Sequence, residues 1–271
     1  MRIDQLLVSR GLASTRSQAQ RLIAGGVLWQ QGDVWRPIAK NGDDVPEDAQ
    51  LRLLDDSEAR YVSRGGLKLE AALMQVGLKV AGLQCLDLGQ STGGFTDCLL
   101  QQGAVFVVGV DVGSAQLHPK LRADPRVLCV EGLNARALDA SDLIAAYADS
   151  TGAEGQFDLE DSDAEAVDFV PEFDLIVADL SFISQTLVLP AVVPMLKAGG
   201  TLLTLVKPQF ELQPGQVGKG GIVKDAAMYA VVQQRLRQAC AELGLNVTAW
   251  FDSPIAGGDG NREFFIAARK P

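Results

Sequence analysis

The strongest constraint on this chain is a rhythm that begins near residue 83. LQCLDL (83–88), AVFVVGVD (104–111), RVLCV (126–130), FDLIVADL (173–180) and GTLLTLVK (200–207) are apolar runs of strand length, separated by segments of helical character. The runs are nearly continuous rather than alternating, as a strand buried on both faces requires. Strands interleaved with helices in this order make a parallel sheet covered on both sides. After a helix at about 224–243, NVTAWFD and NREFFIAAR flank the turn-rich SPIAGGDG, which makes the last two strands an antiparallel pair that closes the sheet. The expected fold class is α/β: a Rossmann-like seven-stranded sheet with an antiparallel last strand, preceded by a small α+β unit.

Residues 1–59 follow a different pattern. RIDQLLVSRGL sets Ile3, Leu6 and Leu7 at helical spacing and ends at Gly11. Ser14 is the expected cap of a second helix, TRSQAQRLIA, stopped by Gly25 and Gly26. VLWQ, VWRPI and LRLL then read as short strands joined by turns. Residues 60–64 read as a linker and 65–271 as the second domain. Arg10, Arg16 and Arg21 fall on or beside the two helices, as either a solvated face or a phosphate-gripping one. The net charge of -10 argues against a nucleic-acid partner only until its distribution is read. Ten acids and no bases lie between Asp149 and Asp174, and the rest of the chain is balanced, 24 against 24. Local patches therefore decide. The acidic insertion at 149–172 is expected to be solvated and mobile.

DLGQSTGGFTD is a strand, a glycine turn and a helix start. Gly89, Gly93 and Gly94 let the backbone approach a ligand closely, and the helix start offers free N–H groups. The spacing is neither G-x-G-x-x-G nor a P-loop, which argues against hydride transfer and nucleotide hydrolysis. Asp111 ends the next strand about 20 residues on, where an acid accepts the ribose hydroxyls of an adenosine. Lys207 ends the fifth strand, fixed by Pro208, and Asp179 ends the fourth beside it. Glu263 opens the antiparallel strand and so begins at that same edge, while Lys68 lies on a helix ahead of the first strand. Two lysines and two acids converge on one opening.

Several classes lose ground. The four cysteines are scattered and His118 is the one histidine, a loop residue, so no metal site and no Ser-His-Asp triad is expected. Such cysteine usage suits a reducing, cytoplasmic setting. No apolar run approaches the roughly 18 residues of a membrane span, and MRIDQLL does not open like a signal peptide. Amino-group methylation usually places N/D-P-P-Y/F where this chain has D-L-S-F, and carbon-5 methylation of cytosine needs a cysteine there.

R-I-D-Q-L-L…S-T-R-S-Q-A-Q-R-L-I…G-G-V-L-W-Q-Q-G resembles the S4-like RNA-binding domain, with Gln30-Gln31-Gly32 in place of that family's valine-asparagine-glycine turn. The sheet, its glycine turn and its ribose acid resemble the Rossmann-like methyltransferases, and the four charged residues resemble the tetrad of the FtsJ group. YVSRGGLKLEAAL, DLGQSTGGFTD, VDVGSAQLHPKLRADPRV, ADLSFIS, LVKPQFE, VGKGGIVKD and SPIAGGDGNREF together resemble the TlyA family, which joins the two domains and whose members are often labelled haemolysins. Gln90 departs from the small residue usual there.

The resemblance implies S-adenosylmethionine as cofactor. Asp87 would face its cationic methionine part, and Ser91, Thr92, Phe95 and Thr96 belong to the same turn. Glu131, Leu133 or Asn134 would edge the adenine. The resemblance further implies methyl transfer to a cytidine 2′-hydroxyl of ribosomal RNA, with Lys68, Asp179, Lys207 and Glu263 as catalytic residues. Lys207 acts as a base if burial and Lys68 lower its pKa from about 10.4, and otherwise orients the hydroxyl. Arg10, Arg16, Arg21 and Arg64 are the implied RNA contacts. Members with a shortened N-terminus are expected to be narrower in target, so a start at RIDQLL makes large-subunit RNA the first expected substrate and small-subunit RNA the second. The alternatives are an RNA-binding protein built on an inactive methyltransferase fold and a membrane-lytic haemolysin, the latter lacking a basic amphipathic segment.

Overall fold

In the computed structural model, which describes residues 1–55, 59–151, 169–255, 257 and 260–271, every apolar run marked as strand by the sequence forms one. The chain divides into two units, Met1–Leu67 and Lys68–Pro271.

In the first unit, helices α1 (Ile3–Ser9) and α2 (Arg16–Gly26) precede a three-stranded antiparallel sheet, β1 (Val27–Gln31), β2 (Val34–Pro37) and β3 (Leu51–Leu53), in the order β2-β1-β3. Ile3, Leu6, Leu7, Leu22, Ile23 and Val27 form its core. The cap of α2 is Thr15, one residue after the expected Ser14. Thr15 Oγ1 accepts from Gln18 N at 3.2 Å, and Gln18 Oε1 accepts from Ser14 N at 2.6 Å, so the side chain three residues into the helix closes the cap from its other side. The segment read as a linker packs with this unit. Tyr61 is buried, and its carbonyl accepts from the buried Gln18 Nε2 at 3.1 Å.

The second unit begins within helix α3 (Gly65–Val76), at Lys68. Its strands are β4 (Gln84–Leu88), β5 (Phe106–Asp111), β6 (Val127–Glu131), β7 (Phe173–Ala178), β8 (Leu196–Val206), β9 (Asn246–Asp252) and β10 (Phe264–Arg269). They form one sheet in the order β6-β5-β4-β7-β8-β10-β9. Strand β10 is antiparallel to both neighbours, and the β4–β5, β4–β7, β5–β6 and β7–β8 pairs are parallel. Both faces are covered. Leu86, Leu88, Val108, Ile176 and Leu202 pack into the core on one side. On the other, Phe265 stacks on Phe95 of α4 (Gly94–Gln101) and on Phe251, at 6.5 and 5.7 Å between ring centres. The remaining helices are α5 (Pro119–Arg122), α6 (Ala140–Thr151), α7 (Leu189–Val192), α8 (Pro208–Glu211) and α9 (Ala227–Glu242). Most of the acidic insertion, residues 152–168, lies outside the described residues. Strand order reverses at β4, so the ends of β4, β5, β7 and β8 and the start of β10 share one edge, where a ligand crevice is expected in such a sheet.

Candidate active site

Asp87 is fully buried near the end of β4. Its Oδ2 accepts from Thr96 Oγ1 at 2.7 Å, and its Oδ1 is buried with no hydrogen-bond partner. Burial pushes its pKa up to about 7, opposed by the Thr96 hydrogen bonds and reinforced by the negative charges of Asp179 and Asp111. Thr96 Oγ1 in turn accepts from Gln90 Nε2 at 2.9 Å. The turn that follows is held by Asp111: Oδ2 accepts from Ser91 N and Oδ1 from Gly113 N, each at 2.7 Å. A carboxylate has about four acceptor sites, so capacity for ribose hydroxyls remains. Gly93 cannot be replaced cheaply. Its φ is +93°, and a Cβ there would lie 2.3 Å from Leu121 Cδ1 and 2.7 Å from Leu117 Cδ1. His118, between those two leucines, caps α5 through Nδ1, which accepts from Lys120 N at 3.2 Å. Its role is structural.

A crevice of about 340 Å³ opens at this edge, lined among others by Gly89, Ser91, Asp111, Leu133, Asn134 and Asp179. That is within the size range of small-molecule sites. Of the three residues proposed for the adenine edge, Glu131 does not line the crevice, and its Oε1 accepts from Arg122 and from Gln116 N. Leu133 and Asn134 line the crevice. Thr92, Gly94, Phe95 and Thr96 stand behind the turn rather than in the crevice wall, Thr96 through its bond to Asp87 and Phe95 through its stack on Phe265. A ribose-type acid and an apolar wall fit an adenosine, and an acceptor without a donor lies buried behind the turn. Asp111, Leu133 and Asn134 are the lining residues that would hold S-adenosylmethionine, while Asp87 does not reach the crevice wall. Among the described residues no group of three or more His, Cys, Asp or Glu side chains is placed to hold a metal ion.

The four charged side chains form two ion pairs. Lys207 Nζ lies 2.6 Å from Asp179 Oδ1 and donates to Ser181 Oγ at 2.9 Å. Lys68 Nζ lies 2.5 Å from Glu263 Oε2, with only 9% and 3% of the two side chains exposed. Phe264 pairs with Val206, so Glu263 and Lys207 stand opposite each other one position beyond the last pair of β10 and β8.

Three features of this edge escaped the sequence reading. Ser181 is the hydrogen-bond partner of Lys207. Phe182, at φ +64° and 90% exposed, holds its ring 5.0 Å from that of Phe210. The buried Glu211 accepts from Ser184 Oγ at 2.5 Å and Gln185 N at 2.8 Å, tying the loop after Asp179 to the helix after Lys207. Alternating D-L-S-F and K-P-Q-F-E carried the signal, but which side chains meet depends on loop geometry. In the first unit, Arg10 donates to the carbonyls of Glu47 and Ala49, and Arg16 reaches Asp4 at 2.9 Å. Arg21 and Arg64 are half-buried.

Residues 61–270 match the model of FtsJ-like methyltransferases, and residues 1–27 match the S4 domain. The chain is 41% identical to the 16S/23S rRNA (cytidine-2′-O)-methyltransferase TlyA of Mycobacterium tuberculosis, over 99% of this chain and 89% of that protein. The chain belongs to the TlyA family of FtsJ-like methyltransferases. It is also 41% identical to YqxC of Bacillus subtilis, an rRNA methyltransferase by provisional assignment, over 100% of this chain and 86% of that one. A solved structure from Streptococcus thermophilus, provisionally assigned as a hemolysin, shares 37% identity with a TM-score of 0.69 and covers 100% of this chain and 88% of its own. This TlyA-family chain is thus a methyltransferase with an S4 domain at its N-terminus, whose substrate class is RNA. Among its described residues no helix is long and apolar enough to cross a membrane.

Proposed function

We propose that the chain transfers a methyl group from S-adenosylmethionine to the 2′-hydroxyl of a cytidine in ribosomal RNA, acting in the cytoplasm. The observation that carries this reading is the pair of lysine–carboxylate contacts on neighbouring strand ends, one of which includes a crevice residue, Asp179. When bound, S-adenosylmethionine supplies an electrophilic methyl group. A ribose hydroxyl is a poor nucleophile at neutral pH, and the work left to the protein is alignment and help with the hydroxyl proton. Lys207, fixed by Asp179 and Ser181, meets that hydroxyl at Nζ. Lys68 and Glu263, paired and buried beside it, steer the ribose by bracing the strand ends that position Lys207. Phe182 and Phe210 offer the target base an exposed aromatic surface for stacking. Proton handling by such a group contributes roughly 10²–10⁴-fold, and alignment adds to it. On the S4 side, Arg16, Arg21 and Arg64 serve as phosphate contacts, while Arg10 braces the loop at Glu47 and Ala49.

The test is transfer of labelled methyl groups to 16S and 23S RNA taken from cells lacking the gene, followed by mapping of alkali-resistant linkages. The expected result is label on the ribose of discrete cytidines. Label on a base, or none on either RNA, would overturn the reading.

A further inference from the structure

The loop that follows β7 and the start of α8 run side by side and are joined in the same order along both. Asp179 and Ser181 meet Lys207, the Phe182 ring meets that of Phe210, and Ser184 and Gln185 meet Glu211. The far end of this ladder is the buried one. Glu211 is 2% exposed, and its two carboxylate oxygens accept from the Ser184 hydroxyl and the Gln185 N–H. Gln185 is itself fastened to β8, its Nε2 donating to Leu205 O and its Oε1 accepting from Thr204 Oγ1, each at 2.7 Å. Glu211 is thus the join between that anchor and the helix that leaves Lys207. Burying a carboxylate is costly unless hydrogen bonds offset it, and here both bonds go to the one loop.

Phe182 sits between the two ends. A phenylalanine at φ +64° occupies a sparsely populated backbone region, which persists only where its surroundings hold it. On one side Ser181 is held by Lys207, and on the other Ser184 and Gln185 are held by Glu211. The ring is so exposed that its own packing supplies little of that restraint. We propose that Glu211 is a positioning residue for methyl transfer: through Ser184 and Gln185 it keeps Phe182 in its left-handed conformation beside Phe210, so that the surface offered to the target base is set before RNA arrives. The inference rests on the proposed function, in which that surface stacks the base. With the Glu211 carboxylate removed, Gln185 stays anchored to β8 through its side chain. The fold is then retained while residues 181–184 gain slack and Phe182 relaxes towards negative φ.

The experiment is single-turnover methyl transfer to unmodified ribosomal RNA by wild type, Glu211→Met, Glu211→Gln, Phe182→Ala and the double variant Glu211→Met/Phe182→Ala, with melting temperatures reporting that each is folded. Glu211→Met keeps the length of the side chain and removes both acceptors. Its rate is expected to fall by roughly 10–100-fold, the loss that a displacement of about 1 Å brings. Glu211→Gln is expected to stay within about threefold of wild type. Its carbonyl accepts from Gln185 N, its amide donates to Ser184 Oγ, and the Ser184 proton turns to Thr186 Oγ1, 2.8 Å away. In the Phe182→Ala background Glu211→Met should cost less than about threefold, because the residue it acts through is gone. Ser184→Ala removes one of the two bonds and spares the carboxylate. It should show the same dependence on Phe182 with a smaller loss, and it carries the test if Glu211→Met does not fold. A wild-type rate in folded Glu211→Met, a loss in Glu211→Gln as large as in Glu211→Met, or losses that multiply with Phe182→Ala would overturn the inference, while ribose methylation by wild type leaves the proposed function standing. No ribose methylation by wild type would overturn both.

Discussion

Lys68 and Glu263 cover each other so completely that removing either strands a charge in the interior. Glu263→Ala is expected to cost about 3–5 kcal/mol by thermal or denaturant unfolding. The double variant Lys68→Met/Glu263→Leu should recover most of that stability while remaining inactive, separating the pair's contribution to folding from its contribution to chemistry. Asp4 behaves in the opposite sense to Asp87. The Arg2 hydrogen bond, with further help from Arg16, holds its carboxyl well below the usual range against the opposing effect of burial. The stabilisation is therefore complete above the unfolded value of 3.8 and is lost as pH falls below it. Melting of the wild type should steepen below about pH 4, and Asp4→Asn should flatten that acid limb. At this scale the sequence was partly legible. Asp111, Asp179 and Lys207 are strand-end residues, and alternation plus strand count places them. Gln90, Glu131 and Arg10 are not, because their roles depend on partners such as Thr96, Gln116 and the Glu47 carbonyl that no spacing rule connects.

Among the elements, the glycine turn and the four-residue helix α5 act as one piece. Gly93 leaves room for Leu117 and Leu121, and His118 N donates to Thr92 O at 3.2 Å. Gly93→Ala should weaken S-adenosylhomocysteine binding by about tenfold or more, because the left-handed backbone and the leucine contacts both oppose the methyl group. Ordinary melting with unchanged affinity would contradict that coupling. The strands were legible because continuous apolar runs leave few alternatives to a sheet covered on both faces. Their limits were less so. Strand β8 begins at Leu196, before the run GTLLTLVK, since Leu196 pairs with Phe173 and Lys197 reaches Asp174 at 3.0 Å. Ser14 and Thr15 are equally good caps by composition, and the position of Gln18 decides between them.

For the whole molecule, charge is the quantity that meets RNA. The S4 unit brings arginines, while residues 152–168 alone carry seven of the chain's acids. Deleting those residues should lower the KM for RNA at low salt, leave kcat unchanged, and lose its effect as salt rises, since long-range repulsion is screened over about 10 Å at 0.1 M. A change in kcat would point to a role in the site itself. In the proposed function, neighbouring strand ends assemble a ribose-methylating centre around Lys207. Its most direct test is single-turnover methyl transfer by Lys207→Ala on unmodified ribosomal RNA, measured beside the binding of S-adenosylhomocysteine. The expected rate is lower by roughly 10²–10⁴-fold, with cofactor affinity unchanged. Transfer at the wild-type rate would contradict it.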